Sequence, residues 1–325
     1  MNQRRPLSGI TAAQSRRRAA QGYAAAIFAV LVTSAYPALT RLSVTASLTP
    51  ADLLLFRFGI GACVFAPLIL VRFRHITRAE WRSALPLSFF QGWGMAALVV
   101  FGLQFGPASH AAALGPGAIG AWIAAVAFVI YGIRVSSRKL AGLLLISSGI
   151  GVIVVASYHG WSVESAIVGD AMFLTASALG AMYLITVERR RLDPSLSAAL
   201  VCTASAMIIV PWHIFFGSSR IASAPLREIA WQMTFQGVLF GALAFVALNY
   251  AIRSIGSLNL GILTAMVPVI GGFCSLLIVG DSISRVEWIG IGTISIGVLV
   301  ASLGGHVFES RSRRATATAP SRAHA

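Results

Sequence analysis

A few polar side chains stand inside long apolar runs of this 325-residue sequence: Tyr36, Arg57, Gln91, His110, Tyr183, Gln236, Asn249 and Asn259. Their chemistry is recognition and proton transfer. The imidazole of His110 titrates near neutral pH, so it either takes a proton or touches a solute, or it makes a neutral hydrogen bond between helices. Tyr36 and Tyr183 offer a ring and a hydroxyl, and Gln91 and Trp93, two apart, point to different faces, with Gln91 the better cavity lining. Gln236 and Asn249 are amides that need partners away from water, and Asn259 suits a helix cap. A charge at depth costs about 2.5–3.5 kcal/mol, so Arg57 is expected to snorkel to an interface beside Asp52. Asp170 and Asp281 both follow Val-Gly and read as a helix start and a loop acid. With so few acids at depth, proton coupling rests on His110 alone.

Other chemistries find no support. No G-x-S-x-G, H-E-x-x-H or G-x-x-x-x-G-K-[ST] pattern occurs. An aspartyl protease would need two facing carboxylates at depth, and the two Val-Gly-Asp sites lie near run ends. Cys63, Cys202 and Cys274 stand singly, without metal-ligand spacing. No cofactor or metal is expected. The net charge of +15 comes from short basic clusters between apolar runs, which is not a nucleic-acid-binding pattern.

The elements that position these residues follow from composition. With 57% hydrophobic and 11% charged residues and a mean hydropathy of +0.81, the chain reads as an all-α integral membrane protein. Windows of about 20 residues, enough to cross ~30 Å of hydrocarbon, predict ten spans. They lie near 22–40, 51–71, 84–103, 107–131, 140–157, 166–187, 196–216, 233–252, 256–279 and 286–303. Helices are required, because lipid offers the backbone no partner. Arg and Lys fall on one side of this alternation by about five to one, which puts both termini in the cytoplasm of a cell (inner) membrane protein.

One pattern is written twice. Gly132, Gly142, Ser147 and Gly149 recur as Gly280, Gly290, Ser295 and Gly297 at a single offset of 148. Five spans separate the copies, and five is odd, so the halves cross in opposite senses as two inverted five-helix repeats. The expected divisions are a basic tail over 1–20, repeats over 21–157 and 158–305, and a second tail over 306–325. Weaker echoes are "TPADLLLF" (49–56) against "DPSLSAAL" (193–200), and Tyr36 against Tyr183. The glycines, seven apart, share a helix face suited to close approach, either within the chain or in a homodimer through spans 5 and 10. Interruptions are expected at Tyr36–Pro37, at Gly115–Gly117 with Pro116, and at Pro268.

These residues resemble the drug/metabolite transporter superfamily, EamA-like branch, over essentially all of 20–305. The likeness rests on the ten-span layout in two halves, "TPADLLLFRF" with Arg57, the "GDSIS" hinge before a Gly-rich last span, and "LTAMVPVIGGF" with Pro268. Ile133 stands where the family usually has an acid, and Pro116 lies four residues from the position matching Pro268. The resemblance implies an alternating-access carrier with a central cavity lined by spans 1, 3, 4, 6, 8 and 9. The expected partners are a small-molecule solute and membrane lipids.

Overall fold

In the computed structural model, the described residues are 12–132, 136–156, 163–190 and 193–303, and all their regular structure is helical. The tail at 306–325 and Ile133 lie outside them, and helix begins at Ala12 rather than after residue 20. Ten helices are long and apolar enough to cross a membrane: span 1, Arg16–Ala46; span 2, Pro50–His75; span 3, Arg78–Gly102; span 4, Ala108–Ile130; span 5, Ser137–Ala156; span 6, Glu164–Val187; span 7, Ser195–Phe216; span 8, Leu226–Gly256; span 9, Asn259–Val279; span 10, Arg285–Leu303. The end of the bundle where span 1 starts and span 10 finishes is called proximal, the other distal.

Local sequence sets the helix starts. Thr49 and Asp52 form a capping box around Pro50 at the head of span 2, and Thr77 and Glu80 form another before span 3. The echo of the first lies at span 7, where Asp193 caps a helix that opens on Pro194. Gly132 and Gly280, partners in the repeat, end spans 4 and 9 at φ +60° and +79°. Only glycine enters that left-handed region without strain, which is why the ending is written twice.

The repeats meet in an antiparallel seam of spans 5 and 10. A Cβ added at Gly142 would lie 2.4 Å from the Ala301 nitrogen and 2.7 Å from the Gly297 oxygen. One added at Gly149 would lie 2.8 Å from the Gly290 oxygen. Shifting Gly142–Gly297 by 148 turns it into Gly290–Gly149, so the seam maps onto itself about a pseudo-two-fold axis. Of the two roles open to these glycine faces, contact within the chain is the one the structure shows: each packs against the other. Ile146 and Ile294 fill the seam, whereas Ser147 turns outward.

Beyond the seam, the packing is crosswise. Spans 3, 4 and 6 form one body: Gly102 abuts Phe173, Gly106 abuts Gly169, and the Trp122 indole N–H donates to the Ser177 hydroxyl at 3.1 Å. Spans 1, 8 and 9 form its counterpart: Gly22 abuts Ser254, Tyr36 stacks on Phe240, and Gly271 lies against the Ser34 oxygen. Each body draws on both repeats and the symmetry exchanges them. Spans 2 and 7 flank them.

The expected interruptions are partly corrected. Pro37 and Pro116 sit inside unbroken helices, Ala12–Ala46 and Ala108–Tyr131. Span 9 does break, between Thr264 and Val267, immediately before Pro268. Span 3 breaks at Gly92 (φ −94°, ψ −122°), where a Cβ would meet the Ser205 hydroxyl, and Met233–Ala244 of span 8 is wound as π-helix.

Replacing Gly149 or Gly297 by Leu is expected to lower stability by about 1–3 kcal/mol through overpacking. Gly292→Ala, where an added Cβ meets nothing within 4 Å, should leave the thermal midpoint in detergent unchanged.

Candidate functional site

At mid-depth, spans 1, 2 and 8 converge on Arg57. Its Nη1 donates to the Tyr36 hydroxyl at 3.0 Å, and its Cζ lies 4.6 Å from the Phe240 ring centroid and 5.3 Å from that of Tyr36. The two rings stack at 4.0 Å. Arg57 therefore does not snorkel: its head reaches about 15 Å below the distal end of span 1, ten residues from Ala46. No ion pair to Arg57 is found among the described residues, and the aromatic faces and one phenol hold it. It stays half-buried, with donors to spare.

On its distal side, amides tie span 8 to span 1. The Gln232 amide donates to the Leu39 oxygen at 3.0 Å and the Ser43 hydroxyl at 2.7 Å; that of Gln236 donates to Thr40 at 2.9 Å. Gln236 is thus a tie between helices, and its oxygen is buried without a donor among the described residues. Within the facing body, Gly115 is buried, yet a Cβ there meets nothing within 4 Å. That open space lies on the face of span 4 between Ala112, packed on Gly271, and Trp122, bonded to Ser177.

The distal end holds four carboxylates, of which Asp52, Asp170 and Glu287 are buried and Asp281 nearly so, which corrects the expectation of few acids at depth. Asp281 accepts from the Arg41 guanidinium at 2.9 Å, from the Ser275 hydroxyl, and from the Ala108 N–H at 3.1 Å. Ala108 opens the helix of span 4, so Asp281 caps it from the opposite body. Asp281 is a clamp rather than a loop acid. Asp170 and Glu287 flank His110: Nδ1 is 2.8 Å from Asp170 Oδ1 and Nε2 is 3.1 Å from Glu287 Oε1. Asp52 is wholly buried, bonded to His213 at 2.9 Å, Ser219 at 2.8 Å and the Arg220 N–H at 3.0 Å.

The other expected site residues scatter. Gln91 is half-buried and ends the first segment of span 3, one residue before the break. Pro116 is half-buried beside the Gly115 space. Tyr183 is buried edge-on against Phe245 at 6.4 Å, in an apolar cluster with Leu87 and Val201. Asn249 keeps a buried amide nitrogen with no partner among the described residues. Asn259 donates to the Ile255 oxygen at 2.8 Å, closing span 8 rather than capping span 9. Pro268 is buried in the first turn after the break. The expected set thus meets only at Tyr36 and Gln236, on the contact of spans 1 and 8. Arg57, Phe240, Asp170 and Glu287 complete the clusters.

The EamA-like transporter family matches the sequence twice, over residues 20–155 and 167–303, and the chain belongs to that family. A solved structure titled only "Crystal structure of protein" superposes with a TM-score of 0.62 at 19% identity, covering 89% of this chain and 97% of the other, and supports the fold. No curated protein matches in sequence.

Breaking the buried clamp with Asp281→Asn removes the carboxylate charge that faces Arg41 and is expected to cost about 3–5 kcal/mol. Arg72→Gln, which removes an exposed pair to Asp193 at 3.8 Å, should cost no more than about 1 kcal/mol in the same thermal unfolding assay.

Proposed function

We propose that this membrane transporter is a secondary carrier that exports or exchanges a small metabolite, amino acid or drug-like solute by alternating access. Both termini are cytoplasmic, so the distal end faces outward. The carrying observation is the asymmetry of span 4. Residues 108–115 are buried at every position around the helix, whereas Phe128, Val129 and Ile130 are exposed at three consecutive positions. This supports reading the conformation as closed to the outside and open toward the cytoplasm.

In this reading, the body of spans 3, 4 and 6 rocks against that of spans 1, 8 and 9, and the pseudo-two-fold axis makes the outward-open state a counterpart of the inward-open one. The solute lies at mid-depth between them, near Arg57, Tyr36 and the Gly115 space. One cation set among aromatic rings favours solutes with a single carboxylate and an apolar body over polyanions, which need several cations.

Purified protein in liposomes, screened for counterflow with amino acids, other monocarboxylates and their amides, is expected to show saturable exchange. Arg57→Gln should lower the rate for carboxylates at least about tenfold, the loss of roughly 1.4 kcal/mol of recognition. Absence of counterflow across the panel contradicts carriage.

A further inference from the structure

His110 and its neighbours carry more than a structural tie, because their protons can be counted. Both imidazole nitrogens face a carboxylate oxygen at hydrogen-bond distance, 2.8 Å to Asp170 and 3.1 Å to Glu287. An ionised carboxylate only accepts, and a neutral imidazole has one N–H. Satisfying both contacts takes one proton beyond that N–H, held on the ring or on a carboxyl group. The site is buried, with side-chain exposures of 1% for His110, 4% for Asp170 and 11% for Glu287. Asp170 Oδ2 is buried without a hydrogen-bond partner among the described residues. Without the extra proton, two negative charges would stand side by side away from water, which is strongly unfavourable.

The triad also bridges one body and the start of the seam helix that follows the 9–10 connection. His110 and Asp170 belong to the body of spans 3, 4 and 6, and Glu287 stands in the first turn of span 10, six residues after the Asp281 clamp and tied by its Oε2 to the Ser284 N–H at 2.5 Å. The surroundings supply few other charges. The 9–10 connection brings Asp281, already bound to Arg41, against the Ala108 N–H, and Arg285 is exposed at the start of span 10. The faces of spans 1, 3, 6 and 9 around this part of span 4 are Ala38, Leu103, Phe173, Ile278 and Val279, with the thiol of Cys274.

We propose that His110, Asp170 and Glu287 form a proton-binding site that latches the outer face shut, so that the outward-closed state holds one proton more than the outward-open state. This rests on the alternating-access reading above. Closing brings Glu287 onto Nε2 and takes one proton from the outer solution. Opening withdraws Glu287, admits water, and leaves Nδ1–H on Asp170 to satisfy the remaining pair; the second proton returns to the outer solution. Linkage of one proton makes the closed-to-open ratio fall up to about tenfold per pH unit as the outer pH rises. The ligand is the proton itself, and acidity outside is what holds the carrier shut.

Glu287→Gln separates the latch from the fold. A glutamine oxygen still accepts from Ser284, and its amide N–H donates to Nε2 while Nδ1–H donates to Asp170, so every contact survives with no additional proton. The test places spin labels at Gln104→Cys and Ser282→Cys, both exposed at the distal end on opposite bodies, in full-length protein in lipid nanodiscs with Cys63, Cys202 and Cys274 replaced by Ala. Pulsed distance measurements from pH 6.5 to 8.5 should show the short-distance population giving way to a longer one, up to about tenfold in ratio per unit. Glu287→Gln should remain folded and mostly closed with no pH response, and His110→Gln should lose the response as well. A pH-independent distribution in the unmodified triad, or an undiminished response in Glu287→Gln, overturns the latch. Counterflow with a pH-independent distribution leaves carriage standing without the latch, whereas a pH-driven distance change without counterflow leaves the latch standing without carriage.

Discussion

Asp281 holds the distal end together. Its carboxylate takes the charge of Arg41 and the hydroxyl of Ser275 from its own body and the first free N–H of span 4 from the other. The pair is packed away from water, with side-chain exposures of 8% for Arg41 and 10% for Asp281, so the contact is stable only when complete. A partly separated clamp takes the carboxylate from Arg41 and from the Ala108 N–H together. Such a contact favours two discrete states over a continuum, and the rest of the distal end is built around it: the His110 triad two residues along span 4, and Asp52 gathering His213 and Ser219 on the flank.

The same constraint explains where the polar residues sit. Span 8 carries Gln232 and Gln236 on the stripe facing span 1, where Leu39, Thr40 and Ser43 can receive their amides. Arg57 finds no acid, and ring faces with one phenol take that place. The seam of spans 5 and 10 is the opposite case: glycine on glycine brings backbones into contact with nothing polar to satisfy, and its self-matching geometry fixes the axis that exchanges the two bodies.

Much of this was legible in the sequence. Ten spans and their inverted pairing follow from length and from one 148-residue offset, and Gly132 and Gly280 recur because the same left-handed turn ends both fourth helices. What stayed hidden depends on partners far away in the chain. Asp170 and Glu287 lie 60 and 177 residues from His110; Glu287 stands in the first turn of its helix, where an acid is ordinary, and Asp170 lies seven residues inside Val163–Arg190 rather than at the helix start its Val-Gly-Asp context suggests. Gly92 sits in an unbroken apolar run, and only Ser205 of span 7, which receives the Trp93 N–H at 3.2 Å, gives the break its reason. The charge of Arg57 was plain, but its direction was not, since nothing local to span 2 announces Tyr36 or Phe240. Pro37 and Pro116 misled for the converse reason: a proline removes one hydrogen bond, and long helices packed on both sides absorb that without breaking.

The central claim is that two bodies, each assembled from both repeats, part at the distal end while a solute is moved. Ala112 of span 4 and Gly271 of span 9 meet across that division, with a Cβ at Gly271 lying 2.3 Å from the Ala112 Cβ. Cysteines there reach disulfide geometry by relaxing about 1.5 Å. In protein lacking its own cysteines, the account predicts that oxidising Ala112→Cys with Gly271→Cys stops counterflow and that a reductant restores it. Full-rate counterflow with the bodies covalently joined at that point would contradict it.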